Sequence, residues 1–205
     1  MAKSIKTIGG GLQGASRLPA VFLDRDGVLI KNIDGDYVRT IAQIELLPGA
    51  KAAVAMLAKA HLPLVVVTNQ AAVAKGYISE DEAWAIQHEV ESLVTDDQDI
   101  NLHSIICPHA SADECECRKP KPGMLLEGAE KYHLDLENSY FIGDALTDIA
   151  AAKAAGVRPV FVMTGRGKSE YTKASKEDVA DVIICRTITE ATRYILHERK
   201  QLNHA

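Results

Sequence analysis

The sequence predicts an α/β fold, a parallel sheet covered by helices on both faces. Two observations carry that expectation. Short apolar runs alternate with helical patterns along most of the chain, and parallel neighbours require crossover connections of that kind. Polar residues also gather just beyond several of the runs, at the edge where open α/β sheets bind ligands.

Val21, Phe22 and Leu23 form an uninterrupted apolar run suited to a strand buried on both faces, predicted over 20–24, and Gly27 lets the chain turn sharply after it. A helix near 49–60 and a strand at 63–68 follow. The next helix, near 79–94, opens on a capping box formed by Ser79 and Glu82. After a strand near 102–107 comes a helix near 123–133, with Pro122 suited to its first turn. A strand over Ser139 to Asp144 leads to an Ala-rich helix near 146–155, which Gly156 stops in a left-handed conformation. Strands at 159–163 and 181–185 and a closing helix near 188–199 complete the order. Two long irregular stretches, Val28 to Pro48 and Pro108 to Lys121, interrupt it, and loops of such length inside a compact domain are often functional.

The chain has 205 residues, 47% hydrophobic and 25% charged, which suits one domain with a sizeable core. Residues 1–18, rich in Gly, Ser, Lys and Gln, read as a flexible arm and 19–205 as a single domain. A net charge of -5 argues against nucleic-acid or membrane partners. No apolar run approaches a membrane span, and Lys3 and Lys6 are followed by Gly9, Gly10 and Gly11 rather than the apolar centre of a secretory signal. The expected compartment is the cytoplasm. Three of the four cysteines crowd between 107 and 117, as a metal clip rather than a spread disulfide framework would have them.

Four polar signals fall at the ends of separate expected strands. Asp24 and Asp26 come first, then Thr68, Asn69 and Gln70, then the basic run Arg118, Lys119 and Lys121 before a helix start, then Gly143, Asp144 and Asp148. Each alone has a plain reading: Asp as turn former, a polar strand end, a solvated basic loop, an N-capping Asp. Together they offer a carboxylate nucleophile, a second carboxylate for proton transfer, a hydroxyl, a cation, and a carboxylate for a hard divalent metal. Cys107, His109, Cys115 and Cys117 add four nitrogen and sulfur ligands within eleven residues. Such a set fills a tetrahedron and leaves no open position, so a zinc held there is structural. Its task is to fold a loop poor in hydrophobic residues and deliver Arg118 and Lys119 just after Cys117.

This order of motifs, Asp24 to Val28, Thr68, Lys119, and Gly143 to Asp148, resembles the haloacid dehalogenase superfamily. The resemblance spans 20 to about 165 and implies a Rossmann-like sheet, Mg2+ dependence and an aspartyl-phosphate intermediate. It assigns Asp24 as nucleophile and Asp26 as acid and then base. It also gives a metal held by Asp24, the Asp26 carbonyl and Asp144, with Thr68 and Lys119 on the phosphoryl oxygens. The segments between motifs are too short for a large cap. Within the superfamily, the zinc loop and the runs Phe22 to Gly27, Val67 to Gln70, Cys107 to His109 and Lys121 to Leu126 resemble the D-glycero-D-manno-heptose 1,7-bisphosphate phosphatases and the related histidinol-phosphate phosphatases.

That resemblance implies removal of the 7-phosphate of a small heptose bisphosphate, in the ADP-heptose branch of lipopolysaccharide core synthesis, and the protein is expected to be a monomer. Arg118 would recognise the second phosphate, Asp34, Gly35, Asp36 and Tyr37 would form part of the sugar loop, and Asn69, Gln70 and Ala71 would line the pocket. This chain departs from the pattern at Ala71, Ala72, Lys75 and Ala145, and its Asp34 to Tyr37 loop is one residue longer. The competing readings are a histidinol-phosphate or other small phosphomonoester phosphatase, a 3'-end polynucleotide phosphatase, and a zinc-ordered binding protein without turnover.

Two apparent motifs are decoys. Gly9 to Gly14 satisfies G-x-G-x-x-G, but Pro19 and the strand at Ala20 leave no room for the required helix. Gly165 to Ser169 ends like a Walker loop, but Val162 stands where its first Gly belongs, and the segment reads as a mobile loop. His61, His88, His103 and His133 read as surface or boundary residues, Cys185 as a small core residue and Lys173 to Asp181 as a solvated face.

Overall fold

The computed structural model describes residues 17–96 and 100–202. Its strands are β1 (Val21–Leu23), β2 (Leu64–Asn69), β3 (Leu102–Cys107), β4 (Tyr140–Gly143), β5 (Arg158–Val162) and β6 (Ile183–Cys185). All pair in parallel, in the order β3-β2-β1-β4-β5-β6. The helices are α1 (Ala50–Lys59), α2 (Ala71–Ala74), α3 (Glu80–Thr95), α4 (Gly123–Lys131), α5 (Leu146–Ala155), α6 (Gly167–Lys173) and α7 (Ile188–Leu202).

Strand periodicity divides the core in two. Val21, Leu23, Leu64, Val66, Tyr140 and Ile142 face one layer with Leu57 of α1, Ile86 of α3 and Ile195 of α7. Phe22, Val65, Val67 and Phe141 face the other, with Met124 and Leu125 of α4 and Ala151 and Ala152 of α5. The inner strands β1, β2, β4 and β5 are buried on both faces, hence their apolar runs, while the edge strands β3 and β6 are only partly buried. Between Gly27 and Thr68 the described chain holds only a 3-10 turn (Ile41–Gln43), α1 and most of β2, so no large cap is inserted there.

Local signals act as expected at several ends. Ser79 Oγ accepts from the Glu82 N–H at 3.2 Å while the Ser79 N–H donates to the Glu82 carboxylate at 2.7 Å. Gly156 ends α5 at φ 72°, in the left-handed region. Elsewhere the structure differs. Residues 167–173 form α6, not a loop; its sequence is polar and has no apolar period to announce a helix, yet Tyr171 packs toward Phe161 with ring centroids 6.4 Å apart. The four-residue α2, Ala71–Ala74, gave no signal because it is apolar throughout and too short to show a helical period. His103, half-buried as a boundary residue, stacks on Tyr132 at 3.8 Å. Of the expected arm, residues 1–16 lie outside the described residues, while Leu18 exchanges backbone bonds with His133 and Asp135.

Candidate active site

β1 lies between β2 and β4, with Leu23 level with Val66 on one side and Ile142 on the other. That register carries the chain beyond Leu23, Val67 and Gly143 to one edge, at the topological switch of the sheet. Asp24, Thr68 and Asp144 therefore meet although they are far apart in sequence. All three are buried.

Lys119 reaches this edge from the loop before α4. Its ammonium lies 2.8 Å from Asp24, 2.8 Å from Asp148, and donates to the Val67 carbonyl at 2.9 Å. Asn69 holds the loop in place: its amide donates to the Lys119 carbonyl at 3.0 Å and accepts the Lys119 N–H at 3.1 Å. Burial pulls the Lys119 ammonium toward neutrality, but Asp148 and Asp24 outweigh it, and its pKa is raised.

Asp24, Asp144 and Asp148 form a buried cluster with one oxygen of each within 4.8 Å of the others. Burial raises Asp24 to about 6 against the opposing pull of Lys119, and burial followed by the charges of Asp24 and Asp148 raises Asp144 to about 8. Asp144 Oδ1 is buried without a hydrogen-bond partner. Such an oxygen in a carboxylate cluster fits a hard divalent cation. Nothing larger than glycine fits around it: a Cβ at Gly27, φ 88°, would fall 2.0 Å from Asp144 Oδ2, and one at Gly165 would fall 2.3 Å from it. Asp144 caps no helix; Asp148 does, accepting the Ala145 N–H at 3.0 Å.

Asp26 stands at the mouth. The guanidinium of Arg25, only 1% exposed, donates to it at 3.0 and 3.3 Å, and the Gln70 amide bridges it at 3.0 Å to Thr68 Oγ1 at 2.8 Å. A cleft of about 590 Å3 opens beside it, lined by Asp34, Gly35, Asp36, Tyr37 and Gln70. A second, of about 380 Å3, is lined by Ala71, Arg118 and Lys119. Tyr37, Asn69 and Arg166 line both. The residues singled out in the sequence for substrate, with Asp26 and Lys119, thus line the two clefts, while Asp24 and Thr68 lie buried against Lys119 and Gln70. Lys75 in the first cleft lies 5.0 Å over the Tyr37 ring.

The four residues of the cysteine loop also converge. Cys117 Sγ is 3.3 Å from Cys107 Sγ, 3.4 Å from Cys115 Sγ and 3.3 Å from His109 Nδ1; Cys107 Sγ is 3.7 Å from Cys115 Sγ and 3.6 Å from His109 Nδ1. Those separations are close to the ~3.6–3.8 Å edges of a tetrahedron drawn with zinc bond lengths. Burial and the bonds shared with Cys107 and Cys115 push Cys117 up to about 12. A thiol set so crowded suits a cation that replaces its protons.

Two residues at this edge, Arg25 and Arg166, were absent from the expected site, and a third, Asp148, was marked only as part of the acidic motif. Asp148 sits inside α5, where an acidic residue in a helical first turn has an ordinary explanation. Arg25 is a charged residue between two aspartates, and nothing in sequence announces that its guanidinium is buried. Arg166 lies in the segment read as a loop; its N–H donates to Asp144 Oδ2 at 2.7 Å.

A family model described as HAD-hydrolase-like matches residues 116–191. The D-glycero-beta-D-manno-heptose-1,7-bisphosphate 7-phosphatase of Pseudomonas putida is 40% identical over 158 residues, covering 77% of this chain and 89% of the relative. The protein of the same name from Escherichia coli K12 is 40% identical over 161 residues, covering 74% and 83%. The crystal structure of D,D-heptose 1,7-bisphosphate phosphatase from B. bronchiseptica, complexed with magnesium and phosphate, matches with a TM-score of 0.80 at 30% identity, over 88% of this chain and 99% of that one. With relatives 40% identical over more than two thirds of each chain and a solved neighbour of the same fold, the chain belongs to the haloacid dehalogenase superfamily of phosphatases.

Proposed function

We propose that this protein is a Mg2+-dependent phosphatase that removes the 7-phosphate of D-glycero-D-manno-heptose 1,7-bisphosphate through an aspartyl-phosphate on Asp24. The observation that carries the reading is the convergence of Asp24, Thr68, Lys119 and Asp144 on one sheet edge. The names of the relatives supply the substrate. The clustered, unpaired cysteines support a cytoplasmic enzyme.

In this reading the Asp24 carboxylate attacks phosphorus as the bond to the sugar oxygen breaks, and Asp26 gives that oxygen its proton. Water then attacks the acyl phosphate, Asp26 takes the water's proton, and inorganic phosphate leaves with Asp24 restored. Asp26 must first turn from Arg25 and Gln70, and its partial exposure, 24%, leaves room for that. Lys119 and the Thr68 hydroxyl hold the phosphoryl oxygens, while Asp148 buttresses Lys119. Magnesium held by Asp24, the Asp26 carbonyl and Asp144 supplies the charge that offsets carboxylate–phosphate repulsion. Zinc on Cys107, His109, Cys115 and Cys117 is structural, and Arg118, which donates to the His109 carbonyl at 2.9 Å, is carried by that loop to meet the second phosphate.

Phosphate release from the heptose bisphosphate, from both anomers and from histidinol phosphate tests the reading. A clear preference for the bisphosphate is expected; a preference for histidinol phosphate overturns the substrate, and no release with Mg2+ overturns the activity.

Mg2+ binding should also depend on pH. Below about 8 the Asp144 carboxyl of the metal-free protein retains a proton, and below about 6 so does Asp24. Mg2+ must displace it, so calorimetric affinity should rise up to about tenfold per pH unit from pH 6 to 8. Equal affinity across that range would contradict the proton displacement.

A further inference from the structure

The charges at the site do not balance once a phosphate enters. Among the described residues, Lys119 is the ammonium in contact with the buried Asp24, Asp144 and Asp148 carboxylates. Lys119 and one divalent cation neutralise three carboxylates and leave nothing for an incoming phosphate dianion. Arg25 is counted with Asp26, whose carboxylate its guanidinium faces before substrate enters, so that pair adds no net charge. Arg118 lies against His109 in the second cleft, and Ala145, next to Asp144, carries no charge.

Arg166 is the cation that can make up the difference. The loop carrying it is pinned to the β1 loop, where the Thr164 hydroxyl donates to the Gly27 carbonyl at 2.6 Å. Gly165, at φ 53°, lets the chain pass where a Cβ would fall 2.4 Å from Gly27 Cα. The fold uses only the backbone of the next residue, whose N–H meets Asp144. The Arg166 side chain is 56% exposed, and its nearest charged contact is Nη2 at 3.8 Å from the unpartnered Asp144 Oδ1. It lines both clefts, at their junction. A guanidinium so placed is anchored at its base and free at its head.

We propose that Arg166 is a substrate-binding residue whose guanidinium turns from Asp144 onto the oxygens of the phosphoryl group being transferred. This deepens the phosphatase reading and rests on it. A guanidinium presents paired donors that match two phosphate oxygens, and its charge counts most where water is displaced.

The test is calorimetric binding of inorganic phosphate at saturating Mg2+, with steady-state phosphate release, for the wild type, Arg166→Gln and Arg166→Lys. Arg166→Gln should weaken phosphate binding at least about tenfold and lower kcat/KM about 100-fold with the melting temperature unchanged, and Arg166→Lys should recover part of both losses. Phosphate affinity in Arg166→Gln within about threefold of wild type overturns the proposal, as does an Arg166→Lys no better than Arg166→Gln. Arg166-dependent phosphate binding in a wild type that does not hydrolyse the bisphosphate would sink the substrate assignment and leave Arg166 in place. Hydrolysis with phosphate binding indifferent to Arg166 would do the reverse.

Discussion

Asp24→Asn is expected to abolish phosphate release, by about 10^4-fold or more, while leaving the protein folded and more stable in the absence of metal. The amide oxygen is isosteric with the carboxylate oxygen that accepts the Arg25 N–H at 2.8 Å and meets Lys119 at 2.8 Å, so local packing survives. An amide cannot form the acyl phosphate, and no other carboxylate of the cluster can substitute: Asp148 is held by Lys119 and the Ala145 N–H, and Asp144 by the Arg166 N–H.

The stability change follows from the sign of the Asp24 shift. Its carboxyl is raised from 3.8 to about 6, so the folded state prefers it protonated. The stability this contributes is fully present below pH 3.8 and is lost as pH rises through 6. Asn never ionises and escapes the loss. In EDTA at pH 8 the variant should be more stable than wild type by on the order of 1 to 3 kcal/mol, and the difference should shrink toward pH 4. Phosphate release and thermal unfolding at the two pH values measure both effects. Residual turnover above about 1% would remove Asp24 as nucleophile, and a variant less stable at pH 8 would contradict the electrostatic account.

What could be read in advance depended on whether a residue's task was local. The inner strands of the sheet were legible because burial on both faces demands apolar runs, and the α3 start because a capping box is complete within a few residues. Asp24, Thr68, Lys119 and Asp144 were legible because each sits where a strand or loop ends. Their convergence depends on strand order, and the resemblance supplied that order. Arg25, Arg166 and the particular task of Asp148, which was marked only as a carboxylate of the acidic motif, were illegible for the complementary reason. Each acts through a contact made only in the folded chain: a guanidinium buried against the neighbouring Asp26, a helical carboxylate turned onto a lysine from another loop, and a backbone N–H brought to Asp144 by glycines that permit close approach. The short helices α2 and α6 escaped because neither has enough turns for an apolar period to emerge.

With zinc held as proposed, Cys117→Ser should cost the enzyme that metal and, with it, most of its activity. Cys117 lies closest to the other three ligands, and the residues that follow it are the basic pair of the site. Two attachments besides the cluster lie beside the basic pair: Asn69 clasps Lys119, and the Glu116 carbonyl packs against the start of α4, where a Cβ at Gly123 would fall 2.2 Å from it. Neither fixes the Arg118 guanidinium, whose hydrogen bond is to the carbonyl of the ligand His109. Losing the metal therefore frees Arg118 outright and loosens Lys119, which must reach Val67, Asp24 and Asp148 together. Zinc content should fall from one per chain to nearly none, and kcat/KM by on the order of 100-fold, since small displacements of positioning groups carry costs of that size. Far-UV circular dichroism should change little, because the two core layers do not depend on the loop. Cys185→Ala is the control: that thiol lies buried on β6, outside the cluster, so zinc content should be unchanged. Full zinc content in Cys117→Ser, or full activity in zinc-free protein, would separate the cluster from catalysis and leave the placement of Arg118 and Lys119 to the chain alone.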